Sequence, residues 1–378
     1  MFKIGGMQRV GIDLLKQLEA RNDIDVGSFV LHSAGLSQYM RFHTFMLSTA
    51  FRILKMINHG EIDAVIFSAM PSATMAMLLG APARRAGVPM VAIAHGHDVI
   101  FENFFYQRML KSIFTNLSGV LAVSKSTADA CSARGLDSSS LFITPNGINL
   151  NRFANFFPGL KTTRAERRDI LLKTLPHLAG RLPPKAFVLE SIGRQVKRKG
   201  HEWFVRSVMP LLDPNVHLLL GGQGPEATKI AQAVNEAGMA GRVHTLGLVP
   251  EEKLAGLYTG ADLFIMPNIP VRGDMEGFGM VMLEAGLCGL PTIAARLEGI
   301  QDVITEGVNG FTVASMDHSG FAEKISRLAK NPALLDALSL SARTHTLASF
   351  SWEAITEKIV GTIHELIAQQ NSSGQSHD

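Results

Sequence analysis

The spacing of short β-rich runs constrains this chain more than any other feature. Runs at 24–31, 62–68, 90–95, 120–124 and 141–144 alternate with longer helical patterns, and a second series follows at 187–192, 217–220, 243–246, 263–266 and 292–295. Strands that alternate with helix-length segments predict parallel sheets covered by helices. A chain of 378 residues is long for one such unit. The expected fold is therefore α/β, with two doubly wound Rossmann-like parallel-sheet domains in tandem. The first domain is expected over 1–150 and the second over 185–345. Pro158, Gly159, Pro176, Pro183 and Pro184 break the periodicity between them, so 151–184 reads as a connector. A final helical pattern covers 346–368, and the polar stretch 369–378 is expected to be disordered.

The chemistry concentrates in DMEGFGMVMLEAGLCGLP, residues 274–291. Gly277 and Gly279 flank Phe278 in a turn that opens an apolar helix, where the first N–H groups are unpaired and electropositive. Such an end attracts phosphate or a sugar hydroxyl. Glu276 stands just before that helix and Glu284 about two turns into it, so two carboxylate acceptors can face one polyol.

Upstream, Gly193-Arg194-Gln195-Val196-Lys197-Arg198-Lys199-Gly200 follows a strand and precedes a helix. Cations at the C-terminal edge of a parallel sheet can pin a diphosphate, guanidinium as a planar fork and ammonium as a point charge. The alternative is a solvated basic turn, and that reading is kept for Lys197 and Arg198. Gly221-Gly222-Gln223-Gly224-Pro225 is a glycine turn after the next strand, suited to backbone contact with a nucleotide or simply to turning. In the first domain His95-Gly96-His97-Asp98 follows a buried strand. His95 can hydrogen-bond a ligand or be a satisfied loop residue, and His97 and Asp98 are open between ligand contact and helix capping.

The spacing Glu276, seven residues, Glu284, followed by Gly-Leu-Pro and a β-branched strand, resembles the retaining glycosyltransferases of family 4, which have the GT-B fold. The resemblance covers roughly residues 5–365. It implies two domains facing a cleft, with the acceptor mainly on 1–150 and the nucleotide sugar mainly on about 185–345. It also implies a last helix that crosses back to the first domain. The implied reaction is transfer of a sugar from a nucleoside diphosphate sugar, UDP- or GDP-linked, to a hydroxyl of a carbohydrate or lipid-linked acceptor. Retention would follow from same-face attack through an oxocarbenium-like transition state, with the leaving phosphate taking the acceptor proton. By the same resemblance Arg194 and Lys199 contact the diphosphate, and Glu276 with the amides of 277–279 holds the sugar. Glu284 binds the ribose, His95 completes the sugar pocket, Gly5 and Gly6 face the diphosphate, and the backbone at Val249 reads the base. Val249 is equally a core position.

Two departures from the family pattern stand out. Only four residues precede Gly5-Gly6-Met7-Gln8-Arg9, so the usual opening strand is missing or truncated; a start annotated downstream of the true one is the favoured explanation. The family's Gly-Gly-x-x-Glu segment is here Glu298-Gly299-Ile300-Gln301-Asp302 after Leu297, with aspartate in place of glutamate.

Other classes are disfavoured. Lys plus Arg against Asp plus Glu is 13 to 10 over 1–150 and 23 to 23 over 151–378. That balance does not indicate nucleic acid, although the mildly basic half suits an anionic membrane surface or acceptor. The basic amphipathic patterns at 39–57 and 104–117 are expected either to touch lipid at the inner face of the membrane or to pack on their sheet. Cys131 and Cys288 have no metal-ligand or disulfide spacing, which points to a reducing, cytoplasmic setting. No cofactor and no metal are expected. Asp23-Ile24-Asp25, the one DxD, lies outside every phosphate loop, and cations with a helix end can replace a metal. A non-catalytic sugar-nucleotide-binding or scaffold protein and a GT-B nucleotide-sugar epimerase are the alternatives.

Overall fold

In the computed structural model of the protein the described residues are 6–31, 38–150, 153 and 163–374. The chain divides into two compact units, one of residues 1–147 with 352–378 and one of residues 148–351.

The first unit is built on a parallel sheet of β1 (Val65–Phe67), β2 (Met90–Ala94), β3 (Gly119–Ala122) and β4 (Leu141–Ile143), in the order β1-β2-β3-β4. β2 and β3 are buried along their whole length, as expected of parallel strands covered on both faces. Alternation along β2 divides the two helical layers. Met90, Ala92 and Ala94 join Ile53, Leu79 and Leu110 in one core, beneath the helices Gln38–Asn58, Ala76–Arg85 and Phe104–Thr115. Ile93 and Leu121 point the other way, towards Val10, Leu14, Ile355 and Ile359 of the helices Gly6–Glu19 and Trp352–Gly374. The Trp352 ring closes this layer over Gly147, where an added Cβ would fall 2.4 Å from the indole.

The second unit holds six parallel strands: β5 (Phe187–Ile192), β6 (Val216–Gly221), β7 (Val243–Gly247), β8 (Leu263–Met266), β9 (Thr292–Arg296) and β10 (Gly310–Ala314). Their order is β10-β9-β8-β5-β6-β7. This is the doubly wound arrangement, and its strand order reverses between β5 and β8, the position at which sheets of this kind bind ligands beyond the carboxyl ends of the strands. Phe187 and Leu189 of β5 face a core with Phe204, Ile230 and Phe321.

Four sequence expectations need correction. Residues 24–31 form no ladder among the described residues; Gly27 interrupts the run, and Val30 is 46% exposed. The expected connector contains the helix Arg164–Thr174, opened by a capping box in which Thr163 and Glu166 cap each other's backbone. That helix lies close on the helix Glu251–Gly260, because a Cβ at Gly256 or Gly260 would strike Thr174 or Leu171. Arg164 and Arg168 both reach the buried Asp262, at 2.8 and 3.1 Å. β10 is a sixth strand beyond the five expected in this unit. The last helix runs to Gly374, past the point where disorder was expected, and Gln370 donates to Ser118 Oγ at 2.9 Å. Gly5 lies outside the described residues, and Gly6 is the exposed first residue of its helix.

Candidate donor-sugar site

Three loops at the carboxyl edge of the second sheet knit together around the reversal point. After β5 and β6 the two glycine-bearing loops pack backbone to backbone. A Cβ at Gly222 would lie 1.9 Å from the Gly193 carbonyl oxygen and one at Gly224 2.2 Å from that of Gln195, while Gln195 N–H donates to the Gln223 carbonyl at 3.0 Å. These glycines are thus required by loop contact, whatever ligand they also meet. After β5 and β8 the same happens at Gly200, which is left-handed (φ 65°) and 2.0 Å from Pro267 O by its would-be Cβ. Ile269 N–H donates to the Arg198 carbonyl at 2.9 Å.

This knitting brings basic and acidic side chains together. Lys199 Nζ lies 2.7 Å from Glu276 Oε2, with both side chains largely buried. Arg198 lies 3.3 Å from Asp274 and 3.6 Å from Glu276. Its solvated reading is therefore wrong: the 3₁₀ turn at Lys197–Lys199 points Arg198 and Lys199 inward. Arg198 Nη1 is buried and keeps no hydrogen-bond partner among the described residues. Arg194 is exposed and Lys197 is exposed. Burial acts to raise the Glu276 carboxyl, but Lys199 and Arg198 outweigh it and hold it below its ordinary value. Burial lowers Lys199, against the pull of Glu276. The pair is a charged one, set where a polyol and a diphosphate can each take one partner.

Around Glu276 the backbone is fixed by a residue that sequence reading passed over. Glu298 Oε2 accepts the Glu276 N–H at 2.5 Å, and Gly299 N–H donates to the Glu276 carbonyl at 3.1 Å. Gly279 is the left-handed N-cap (φ 88°) of the helix Met280–Leu287, as the turn required. The Phe278 ring is spent on packing, edge-on to Phe350 at 5.9 Å, so only its backbone can meet a donor. Glu284 is buried and accepts the Tyr258 hydroxyl at 2.8 Å. Tyr258, on the helix Glu251–Gly260, is a second residue missed from sequence. Val249 is half-buried, with Cγ2 near the would-be Cβ of Gly221 at 3.0 Å.

In the first unit His95 directly follows β2, and its ring is oriented by Nε2–H donation to the Ser68 carbonyl at 2.9 Å, since a carbonyl can only accept. Nδ1 is the remaining ring nitrogen. Asp98 braces this loop by accepting the N–H groups of His95 (2.8 Å) and Met70 (3.1 Å), and the helix His97–Ile100 that holds it has no side-chain cap among the described residues. Asp23 of the DxD is taken by Arg21 at 2.6 Å.

A family model described as Glycosyltransferase Family 4 matches residues 4–152, and one described as Glycosyl transferases group 1 matches 186–331. The chain belongs to glycosyltransferase family 4. Among curated relatives of this glycosyltransferase is the GDP-mannose-dependent alpha-(1-6)-phosphatidylinositol monomannoside mannosyltransferase of Mycolicibacterium smegmatis. It is 29% identical over 312 residues, covering 81% of this chain and 77% of the relative. The lipopolysaccharide core biosynthesis glycosyltransferase LpsD of Rhizobium meliloti is 32% identical over 188 residues, 50% of this chain and 52% of that one. Anabaena HepE, solved with UDP and glucose, superposes with a TM-score of 0.71 at 20% identity, covering 96% of this chain and 97% of that one. Sucrose-phosphate synthase from Thermosynechococcus elongatus gives a TM-score of 0.68 at 22% identity, covering 97% and 94%. These likenesses establish the GT-B fold; the two parallel-sheet units are its halves.

Proposed function

We propose that this glycosyltransferase moves a sugar from a UDP- or GDP-sugar to a hydroxyl of a lipid-linked or carbohydrate acceptor, with retention and without a metal. The observation that carries the reading is the buried Lys199–Glu276 pair, 2.7 Å apart at the point where strand order reverses, with Arg198 beside it. Lys199 has three donors and gives one to Glu276, so the others can meet the diphosphate. Glu276 keeps acceptor capacity for a sugar hydroxyl. Arg194, exposed on the same loop, adds a second cation to the phosphates. Glu284, oriented by Tyr258, takes the ribose hydroxyls, and the backbone of Gly277, Phe278 and Gly279 supports the sugar. Gly222, Gly224 and Val249 border the nucleotide. His95 binds the sugar through the ring nitrogen that Ser68 does not occupy.

In this scheme the bond from the anomeric carbon to the β-phosphate oxygen breaks. The acceptor oxygen bonds to the same face of that carbon, and its proton passes to the departing phosphate. Cations fixed in advance beside the leaving oxygen stabilise its charge without reorganising, an effect worth about 2.7–4 kcal/mol per donor in comparable sites. The relatives' names, a phosphatidylinositol mannoside and a lipopolysaccharide core, support a glycolipid acceptor met at a membrane surface.

The test is transfer in the presence of EDTA, with the product's anomeric configuration read by NMR. Retained configuration and undiminished turnover are expected; an inverted product or a rate that returns only with a divalent cation would overturn the scheme.

A further inference from the structure

One side chain beside the candidate site has no part in the scheme above. Asn268 is the second residue after β8 and is wholly buried, at 0% exposure. Against burial, and after Lys199 and Arg198, its amide is the last of the groups that hold the Glu276 carboxyl below its ordinary value. The amide therefore lies against that carboxylate. Its alignment nevertheless falls short of a hydrogen bond, because neither Oδ1 nor Nδ2 has a partner among the described residues. Arg198 Nη1 is equally buried and unpartnered there, on a guanidinium whose Nη2 is 3.6 Å from the same carboxylate. Buried amides are almost always bonded, since an unpaired one costs free energy. N–H groups left over at one carboxylate call for a use.

The backbone fixes the amide in this position. The Ser315 hydroxyl, in the turn after β10, donates to the Asn268 carbonyl at 2.8 Å. On one side Ile269 N–H donates to the Arg198 carbonyl at 2.9 Å, and on the other Pro267 O lies 2.0 Å from where a Cβ at Gly200 would fall. A donor held so firmly, yet making no bond, is placed in advance for a state of the carboxylate other than the one bound to Lys199.

We infer that Asn268 is a positioning residue for Glu276: as a donor diphosphate draws Lys199 towards itself, the Asn268 amide and Arg198 Nη1 take over the carboxylate and keep it ionised and aimed at the sugar. The inference rests on the transferase reading of this site. In the protein alone Lys199 Nζ is 2.7 Å from Glu276, whose side chain is 13% exposed. A diphosphate carries more charge than a carboxylate and competes for the lysine. Water has little access to replace it, and a buried carboxylate without a partner takes up a proton. An amide suits the task because it bonds a carboxylate without a full charge of its own. The charged and titratable groups that face Glu276 are Lys199 and Arg198 from the loop after β5, Asp274 from its own loop and Glu298 after β9, with His201 beyond Lys199.

Calorimetric titration with UDP and GDP, in buffers of different ionisation enthalpy, counts the protons taken up on binding. Asn268→Ala should take up more than wild type, the difference rising towards about one proton per site as pH falls towards about 5. Asn268→Ser, which keeps a hydroxyl donor, should lie between them. Near about pH 8, where carboxylates are ionised, all three proteins should bind the bare nucleotide alike, which shows that the variants are folded. The extra affinity of UDP-glucose or GDP-mannose over the bare nucleotide, whichever wild type binds, should fall about tenfold in Asn268→Ala. A packing role alone would change affinity without changing proton uptake. Equal proton uptake by wild type and Asn268→Ala would overturn the inference while leaving the transferase reading intact. Wild type that binds neither nucleotide would overturn both.

Discussion

Glu298 adopts a backbone φ of 50°, in the left-handed region that favours glycine. A side chain there costs about 1–2 kcal/mol. What offsets the cost is visible: its carboxylate takes the Glu276 N–H at 2.5 Å, a charge-assisted bond worth about 1.5–3 kcal/mol. Burial pushes the Glu298 carboxyl up, opposed by the bond from the Glu276 N–H and by Arg198, while the charges of Glu276 and Asp274 add to the rise. Glu298→Gly should therefore leave unfolding free energy within about 1 kcal/mol of wild type, because lost strain and lost bond nearly cancel. It should still lower kcat/KM for the donor about tenfold, because Glu276 loses its backbone clamp. Glu298→Gln, which keeps an acceptor, should recover most of that. Urea melts and steady-state kinetics on the two variants check this; a glycine variant with normal kcat/KM would show that Glu276 is placed without Glu298. None of this was legible in the sequence, where a glutamate next to a glycine reads as a turn.

At the scale of elements, β5 carries a residue that its neighbours do nothing to satisfy. Glu190 is fully buried, and neither carboxylate oxygen has a hydrogen-bond partner among the described residues. Burial alone raises it well above its ordinary value of 4.5, and it in turn helps, after burial, to push up the Cys288 thiol. The sign follows from linkage. Below pH 4.5 both folded and unfolded chains hold the proton. As pH rises above that value the unfolded chain gives up its proton and the folded one does not, so stability falls until the folded group also ionises. Glu190→Leu should then raise Tm progressively more from pH 5 towards pH 8, by about 2–4 °C per kcal/mol recovered, with little gain near pH 4. A gain that is constant across this range in calorimetric melts would mean Glu190 is not the source. Element boundaries show what periodicity can reveal. Buried parallel strands such as β2 and β8 are readable as continuous apolar runs, whereas 24–31 has the composition of a strand but pairs with none among the described residues. The helix at Arg164–Thr174 announced itself only through its Thr-x-x-Glu capping box, inside a stretch that prolines made look like linker.

For the whole molecule, the two tandem units and the family were legible, because both depend on the order of elements and on motifs local in sequence. The interior of the site was not. Lys199 and Glu276 come from different loops, and nothing in the basic run 194–199 says which cation turns inward; the 3₁₀ turn decides that, and it brings Arg198 in with Lys199 while Arg194 stays exposed. No described helix is long and apolar enough to cross a membrane. All of this depends on a nucleotide sugar being held by the β5 and β8 loops without a metal. Calorimetric titration of UDP- and GDP-sugars in EDTA, against wild type and Lys199→Ala, tests that claim most directly. Saturable binding of one donor by the wild type, weakened about 10–100-fold in Lys199→Ala by loss of a charge-assisted contact, is the predicted result. Binding that needs a divalent cation, or equal affinity in the two proteins, would contradict it.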